Sequence, residues 1–137
     1  MPTLALPVVS AITGGLLIIG QMGLMLSVAL TRRRRGQSLG DGGDPAMTRV
    51  MRRHGNYAEN AAIFVASLSL LEMMGGARLF VAALAAVFIA GRVLHAIGLS
   101  QANTVNGWRI AGVFATVVAG VTLGLRLVTL GVGHLSG

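Results

Sequence analysis

The chain has 137 residues, 54% of them hydrophobic and 11% charged, with a net charge of +7 and no cysteine. A soluble domain carries about twice that charged fraction, so the composition indicates a single-domain integral membrane protein. It excludes a disulfide framework and a thiolate nucleophile, and the basic balance does not imply nucleic acid, because the basic residues stand at the ends of apolar runs, as membrane orientation requires.

Residues 4 to 30 contain no charge, more than the roughly 20 residues a spanning helix needs. They predict a first helix over about residues 4–31, with Pro7 near its start, where proline is tolerated. The run is too long for the core of a signal peptide, so it reads as a retained helix. Gly20, Gly23 and Ser27 supply small positions for close helix contact. The four arginines Arg32 to Arg35 follow. They read as a stop-transfer signal that puts this loop in the cytoplasm and the N-terminus outside. A second reading lets one of them reach an anionic ligand. GQSLGDGGDP is a flexible loop, and no GK[ST] follows to make it a phosphate cradle.

Asp44-Pro45 is a helix start, with Asp as N-cap and Pro at N1. The second helix is predicted over residues 45–74, about 45 Å long at 1.5 Å per residue, so its first turns project from the bilayer core. Gly75-Gly76 turns the chain into a third helix over about 77–99, where Ala82, Ala86 and Ala90 form a small-residue ridge. SQANTVNGW connects to a fourth helix over about 108–130. There Gly112, Thr116, Gly120 and Gly124 recur every four residues as a ridge for tight packing. Arg126 is expected to pair with Glu72 or to snorkel, and the last residues, GVGHLSG, to fray. His54, His95 and His134 show no metal-ligand spacing, so no metal site is expected. The fold class is all-α, an integral membrane four-helix bundle with both termini on the outer side.

One stretch, TRVMRRHGNYAEN, stands out. As a helix it puts Arg49, Arg52, Arg53, Asn56, Glu59 and Asn60 within an arc of about 120°. Glu59 lies 15 residues before Met74 and Arg92 lies 14 residues after Arg78, so each is roughly 21–22 Å in from the outer side. Two opposite charges at one depth suggest an intramembrane ion pair or a shared ligand site. Arginines at the start of a spanning helix often meet lipid phosphates, which accounts for Arg49 and Arg53. It does not account for Arg52, Asn56 and Glu59 continuing inward on one face, because polar groups in a span are costly unless they face protein or ligand. Arginine offers a planar fork for carboxylates, glutamate an acceptor for an ammonium group, and asparagine both donor and acceptor. Those residues point to a small zwitterionic or anionic molecule. His95 also reads as a buried structural histidine.

Arg52-x3-Asn56-x2-Glu59 near the start of the second helix, followed by GR-x2-H-x2-G from Gly91 to Gly98, resembles the MAPEG family. These are the membrane-associated proteins in eicosanoid and glutathione metabolism. The resemblance covers nearly the whole chain, and the GDGGDP loop is similar to bacterial members. It implies a homotrimer in a bacterial inner membrane, with glutathione as co-substrate bound between subunits near the cytoplasmic face. By motif, Arg52, Asn56 and Glu59 would contact glutathione, with Arg92 nearby. His54 falls where some members have a polar contact residue. Asn60 and His95 fall where family members have glutathione-contacting tyrosines, and a third tyrosine position falls on or near Leu99. Arg109 is the candidate thiolate stabiliser, and so the catalytic residue, with Arg92 or His95 as alternatives.

The resemblance implies a glutathione transferase or peroxidase acting on lipophilic electrophiles held among membrane lipids. The missing tyrosines leave a second function open, a non-catalytic accessory subunit of a larger membrane complex. A small transporter is disfavoured because the first span has no charged residue.

Overall fold

The structure, a computed structural model, describes residues 6–101, 103 and 105–136. The predicted first-helix start at residue 4 lies outside them. The described residues are helical, without strands: α1 Val8–Arg35, α2 Pro45–Glu59, α3 Ala61–Met73, α4 Arg78–Ser100 and α5 Gly107–Leu135. Of these, α1, α4 and α5 are long and apolar enough to cross a membrane. The end of the bundle where α1 and α4 finish and α2 and α5 begin is called the arginine end below.

α1 runs one turn past its predicted end because Arg32 to Arg35 continue the helix. Four cations in the last turn suit the negative end of the helix dipole. Gly36, at φ 63°, stops it. The Gly36 N–H donates to the Arg33 carbonyl and that of Gln37 to the Arg32 carbonyl, the paired bonds of a Schellman stop. α2 begins at Pro45, and the Asp44 carboxylate accepts from the Ala46 N–H at 2.9 Å. Asp44 also pairs with Arg35, so one residue caps α2 and ties it to α1. Asp44→Ala is expected to cost about 1 kcal/mol, the usual worth of an N-cap. Thermal unfolding in detergent would read the loss, and an unchanged midpoint would count against the cap.

Where one helix was predicted over 45–74, there are two. The Asn60 N–H turns to the Ala58 carbonyl and the ladder restarts when the Phe64 N–H donates to the Asn60 carbonyl. α5 differs in the other direction. The tail expected to fray is helical to Leu135 and continues in the bond from the Ser136 N–H to the Val132 carbonyl.

The core lies between α3, α4 and α5, with α1 against one side. Phe64 and Phe88 stack with centroids 3.7 Å apart, flanked by Leu68, Leu71, Val81 and Leu123. At the arginine end α4 and α5 meet backbone to backbone. A Cβ on Gly98 would lie 2.6 Å from the Arg109 nitrogen, and one on Gly112 would lie 2.7 Å from the Gly91 carbonyl oxygen and closer still to the His95 nitrogen. Gly120 and Gly124 have nothing within 4 Å, so the predicted small-residue ridge is used only at its first two members, Gly112 and Thr116. The Ala82, Ala86 and Ala90 ridge likewise faces away from the core, with Ala86 and Ala90 exposed.

Glu72 does not pair with Arg126, which is exposed. Its carboxylate accepts from the Val9 N–H at 2.9 Å, the Ser10 N–H at 2.8 Å and the Ser10 hydroxyl at 2.7 Å. The first turn of a helix has N–H groups without intrahelical partners. Glu72 therefore caps α1 from another helix.

Candidate functional site

The loop between α1 and α2 is held from both sides. Arg32 Nη1 donates to the carbonyls of Ser38 and Gly40, each at 3.1 Å, and Arg35 holds Asp44. Two of the four arginines thus fold the loop, while Arg33 and Arg34 remain exposed. Asp41, within the loop, accepts from the Thr48 hydroxyl at 2.6 Å and the Gly43 N–H at 3.1 Å. The Thr48 bond first, then that of Gly43, holds its carboxyl below the usual carboxylate range.

This fold places Asp41, Thr48, Arg49 and Arg52 around a cavity of about 400 Å³, closed on the far side by Leu99 and Arg109. Arg52 and Arg109 reach it from different helices. The amphipathic turn of α2 presents Arg52, and the Asn106 cap presents Arg109, whose N–H donates to Asn106 Oδ1 at 3.0 Å. Three arginines, Arg49, Arg52 and Arg109, and one carboxylate, Asp41, line this cavity, so its lining is net positive, and an arginine fork matches carboxylate geometry.

Deeper in the bundle Arg92 is buried, with 3% of its surface exposed. Its Nη1 donates to the Asn56 carbonyl at 3.0 Å and its Nη2 lies 2.7 Å from His95 Nδ1. Arginine has no acceptor, so Nδ1 accepts and neutral His95 carries its proton on Nε2. The break at Asn60 explains the first bond. With the Asn60 N–H turned to Ala58, the Asn56 carbonyl loses its usual helical donor and Arg92 takes it. Asn56 turns its amide to the Arg52 carbonyl at 2.8 Å. The direct ion pair that depth suggested between Glu59 and Arg92 does not form. Glu59 is exposed.

The predicted residues therefore divide. Arg52 and Arg109 share the cavity. Arg92 and His95 form a buried hydrogen-bonded pair that also holds the backbone carbonyl of half-buried Asn56, and Glu59 is exposed outside that pair. Asn60 opens elsewhere, onto a cavity of about 420 Å³ between α3 and α5 lined by Phe64, Ser67, Thr116 and Gly120. His54 is on the α1 side, its Nε2 at 2.7 Å from Gln21 Nε2. Sequence reasoning missed Asp41 and Thr48 as cavity residues. The signal available was an Asp between glycines, seven residues before a Thr at the start of a helix. It also missed Tyr57, which is buried against Gly20. Among the described residues no cluster of three His, Asp or Glu could hold a metal.

A comparison with curated proteins finds no match. A scan against protein-family models matches the MAPEG family over residues 10–129. That span takes in all of α2, α3 and α4, including Arg52, Asn56, Glu59 and Arg92, together with Arg109. An all-helical chain with membrane-crossing helices and that match has one classification: it belongs to the MAPEG family.

Proposed function

We propose that this chain binds glutathione at the arginine end and acts as a glutathione transferase or peroxidase on lipophilic electrophiles in the bilayer. The observation that carries this is the cavity shared by Arg49, Arg52 and Arg109. It suits a peptide with two carboxylates, and Glu59, exposed two turns beyond Arg52 on α2, suits its ammonium group. Bound there, glutathione supplies the thiol. Arg109 favours the thiolate over the thiol by its charge, while Arg52 and Arg49 orient the carboxylates. His95 and Arg92 are hydrogen-bonded to each other, and Arg92 also holds the Asn56 carbonyl.

His54, bonded to Gln21 on the α1 side, takes no part in this cavity; membership of the family supports a homotrimer with sites between subunits. The arginine bias at this end supports its placement in the cytoplasm, in a bacterial inner membrane, with both termini outside. A second reading, a non-catalytic accessory subunit of a membrane complex, is favoured by one observation. His95 is buried and committed to Arg92, and Leu99 lines the cavity where the family resemblance implies a tyrosine.

Glutathione titration of detergent-purified protein tests the proposal. Wild type should bind saturably at millimolar concentration or below. Arg52→Ala and Glu59→Gln should each weaken binding roughly 10- to 100-fold, the worth of one charge-assisted hydrogen bond. Absence of saturable binding by wild type would defeat both the transferase and the peroxidase. Binding without thiolate absorbance or conjugation to a reactive aryl halide would select the accessory subunit.

A further inference from the structure

Arg53 follows Arg52 in sequence but points the other way, into the angle between α1 and α4. Its Nη1 donates to the Ser100 hydroxyl at 2.8 Å and its Nη2 to the Ser27 hydroxyl at 3.1 Å, while its Nε is buried without a partner. It has no carboxylate partner among the described residues. A guanidinium at the edge of an apolar bundle, met only by two neutral hydroxyls, has an uncompensated charge. The second hydrogen on each Nη remains for an anion.

Directly beneath Arg53 lies a cleft of about 260 Å³, lined by Gly20, Leu24, Tyr57, Val93 and Ile97. Each long wall is a single helix face. Ser100, Ile97, Ala96 and Val93 are spaced 0, 3, 4 and 7 along α4, and Ser27, Leu24 and Gly20 are spaced 0, 3 and 7 along α1. The cleft therefore runs about 10 Å along the helix axes, polar at the arginine end and apolar below. Tyr57 forms its floor against Gly20, where a Cβ would meet the hydroxyl oxygen at 2.5 Å. Val93 and Ile97 remain 45% and 41% exposed, so the cleft opens sideways to the surrounding lipid. A cation above an apolar slot, open along its side, has the shape and polarity of an amphiphile. A free anion would use only its upper end.

We propose that this cleft is a specific site for one anionic phospholipid, its phosphate on Arg53 and an acyl chain along Leu24, Val93 and Ile97. The site is separate from the Arg52–Arg109 cavity and does not depend on glutathione binding there.

The test is native mass spectrometry of the full chain in detergent, titrated with dioleoyl phosphatidylglycerol. Wild type should retain the lipid. Arg53→Gln should weaken retention about five- to tenfold, while Arg34→Gln, the same charge change on an exposed arginine, should leave it unchanged. Ala96→Leu, which fills the slot but keeps the charge, should weaken it as well. If Arg53→Gln does not fold, Arg53→Lys and Ala96→Leu carry the comparison, with Lys retaining the lipid within about threefold. Equal losses in Arg53→Gln and Arg34→Gln would overturn the proposal in favour of general surface charge. Displacement of the lipid by inorganic phosphate alone would overturn it in favour of a free-anion site. A changed oligomeric state with unchanged lipid retention would overturn it in favour of a contact between copies of the chain.

Discussion

Gly112→Leu is expected to separate α5 from α4 at the arginine end and to abolish stable folding in detergent. Any Cβ at this position runs into the backbone of α4, at the His95 nitrogen and at the Gly91 carbonyl oxygen. A crowded side chain can change rotamer, but a crowded backbone can only move away. Overpacking usually costs about 1–3 kcal/mol where side chains can rearrange, and this position should lie above that range. The displacement would travel further, since His95 and Arg92 are hydrogen-bonded and Arg92 holds the Asn56 carbonyl. Gly112→Ala should show a milder form of the same defect. Gly120→Leu, two turns along the same ridge with nothing within 4 Å, should be tolerated. Thermal unfolding and size-exclusion profiles of the three variants would decide. Similar behaviour of Gly112→Leu and Gly120→Leu, in either direction, would refute the backbone contact.

Glu72→Ala should cost about 2–4 kcal/mol, because it removes the acceptor for three donors at once and leaves two N–H groups of the first turn of α1 unpaired. A carboxylate there also faces the positive end of the helix dipole. Glu72→Gln keeps one oxygen and loses the charge, so it should fall between wild type and alanine. Ser10→Ala removes only the hydroxyl donor and should cost about 1 kcal/mol. Amide hydrogen exchange at Val9 and Ser10 would show the local effect, and thermal unfolding the global one. Unchanged protection at both amides in Glu72→Ala would rule out the cap.

Much of the architecture is written in local pattern. Long uncharged runs mark α1, α4 and α5, and Asp44-Pro45 marks the start of α2, because capping and hydrophobicity are properties of neighbouring residues. The features that are not legible depend on residues far apart in the chain. Glu72 and the start of α1 are more than 60 positions apart, and nothing around Glu72 announces a partner. The ridge of α5 has one spacing throughout, yet Gly112 and Thr116 meet α4 while Gly120 and Gly124 do not, because which part of a face a neighbouring helix covers is a tertiary quantity. Counting depth put Glu59 level with Arg92. It could not tell that the guanidinium would turn to a backbone carbonyl, because the break that exposes that carbonyl was not foreseen. At the candidate site the motif spacing pointed to Arg52 and the family resemblance to Arg109, while Asp41 was hidden in a loop whose course depends on Arg32 and Arg35.

The bend at Asn60 also bears on the order of assembly. Helices in a bilayer form before they dock. Until α4 arrives, the Asn56 carbonyl has no Arg92, and its simplest partner is the Asn60 N–H of an unbroken helix. The bend is therefore coupled to the contact with α4. Docking of α4 exchanges one backbone bond for a bond to a buried cation. The place Arg92 takes and the place where the helical run over 45–73 breaks are thus one structural fact.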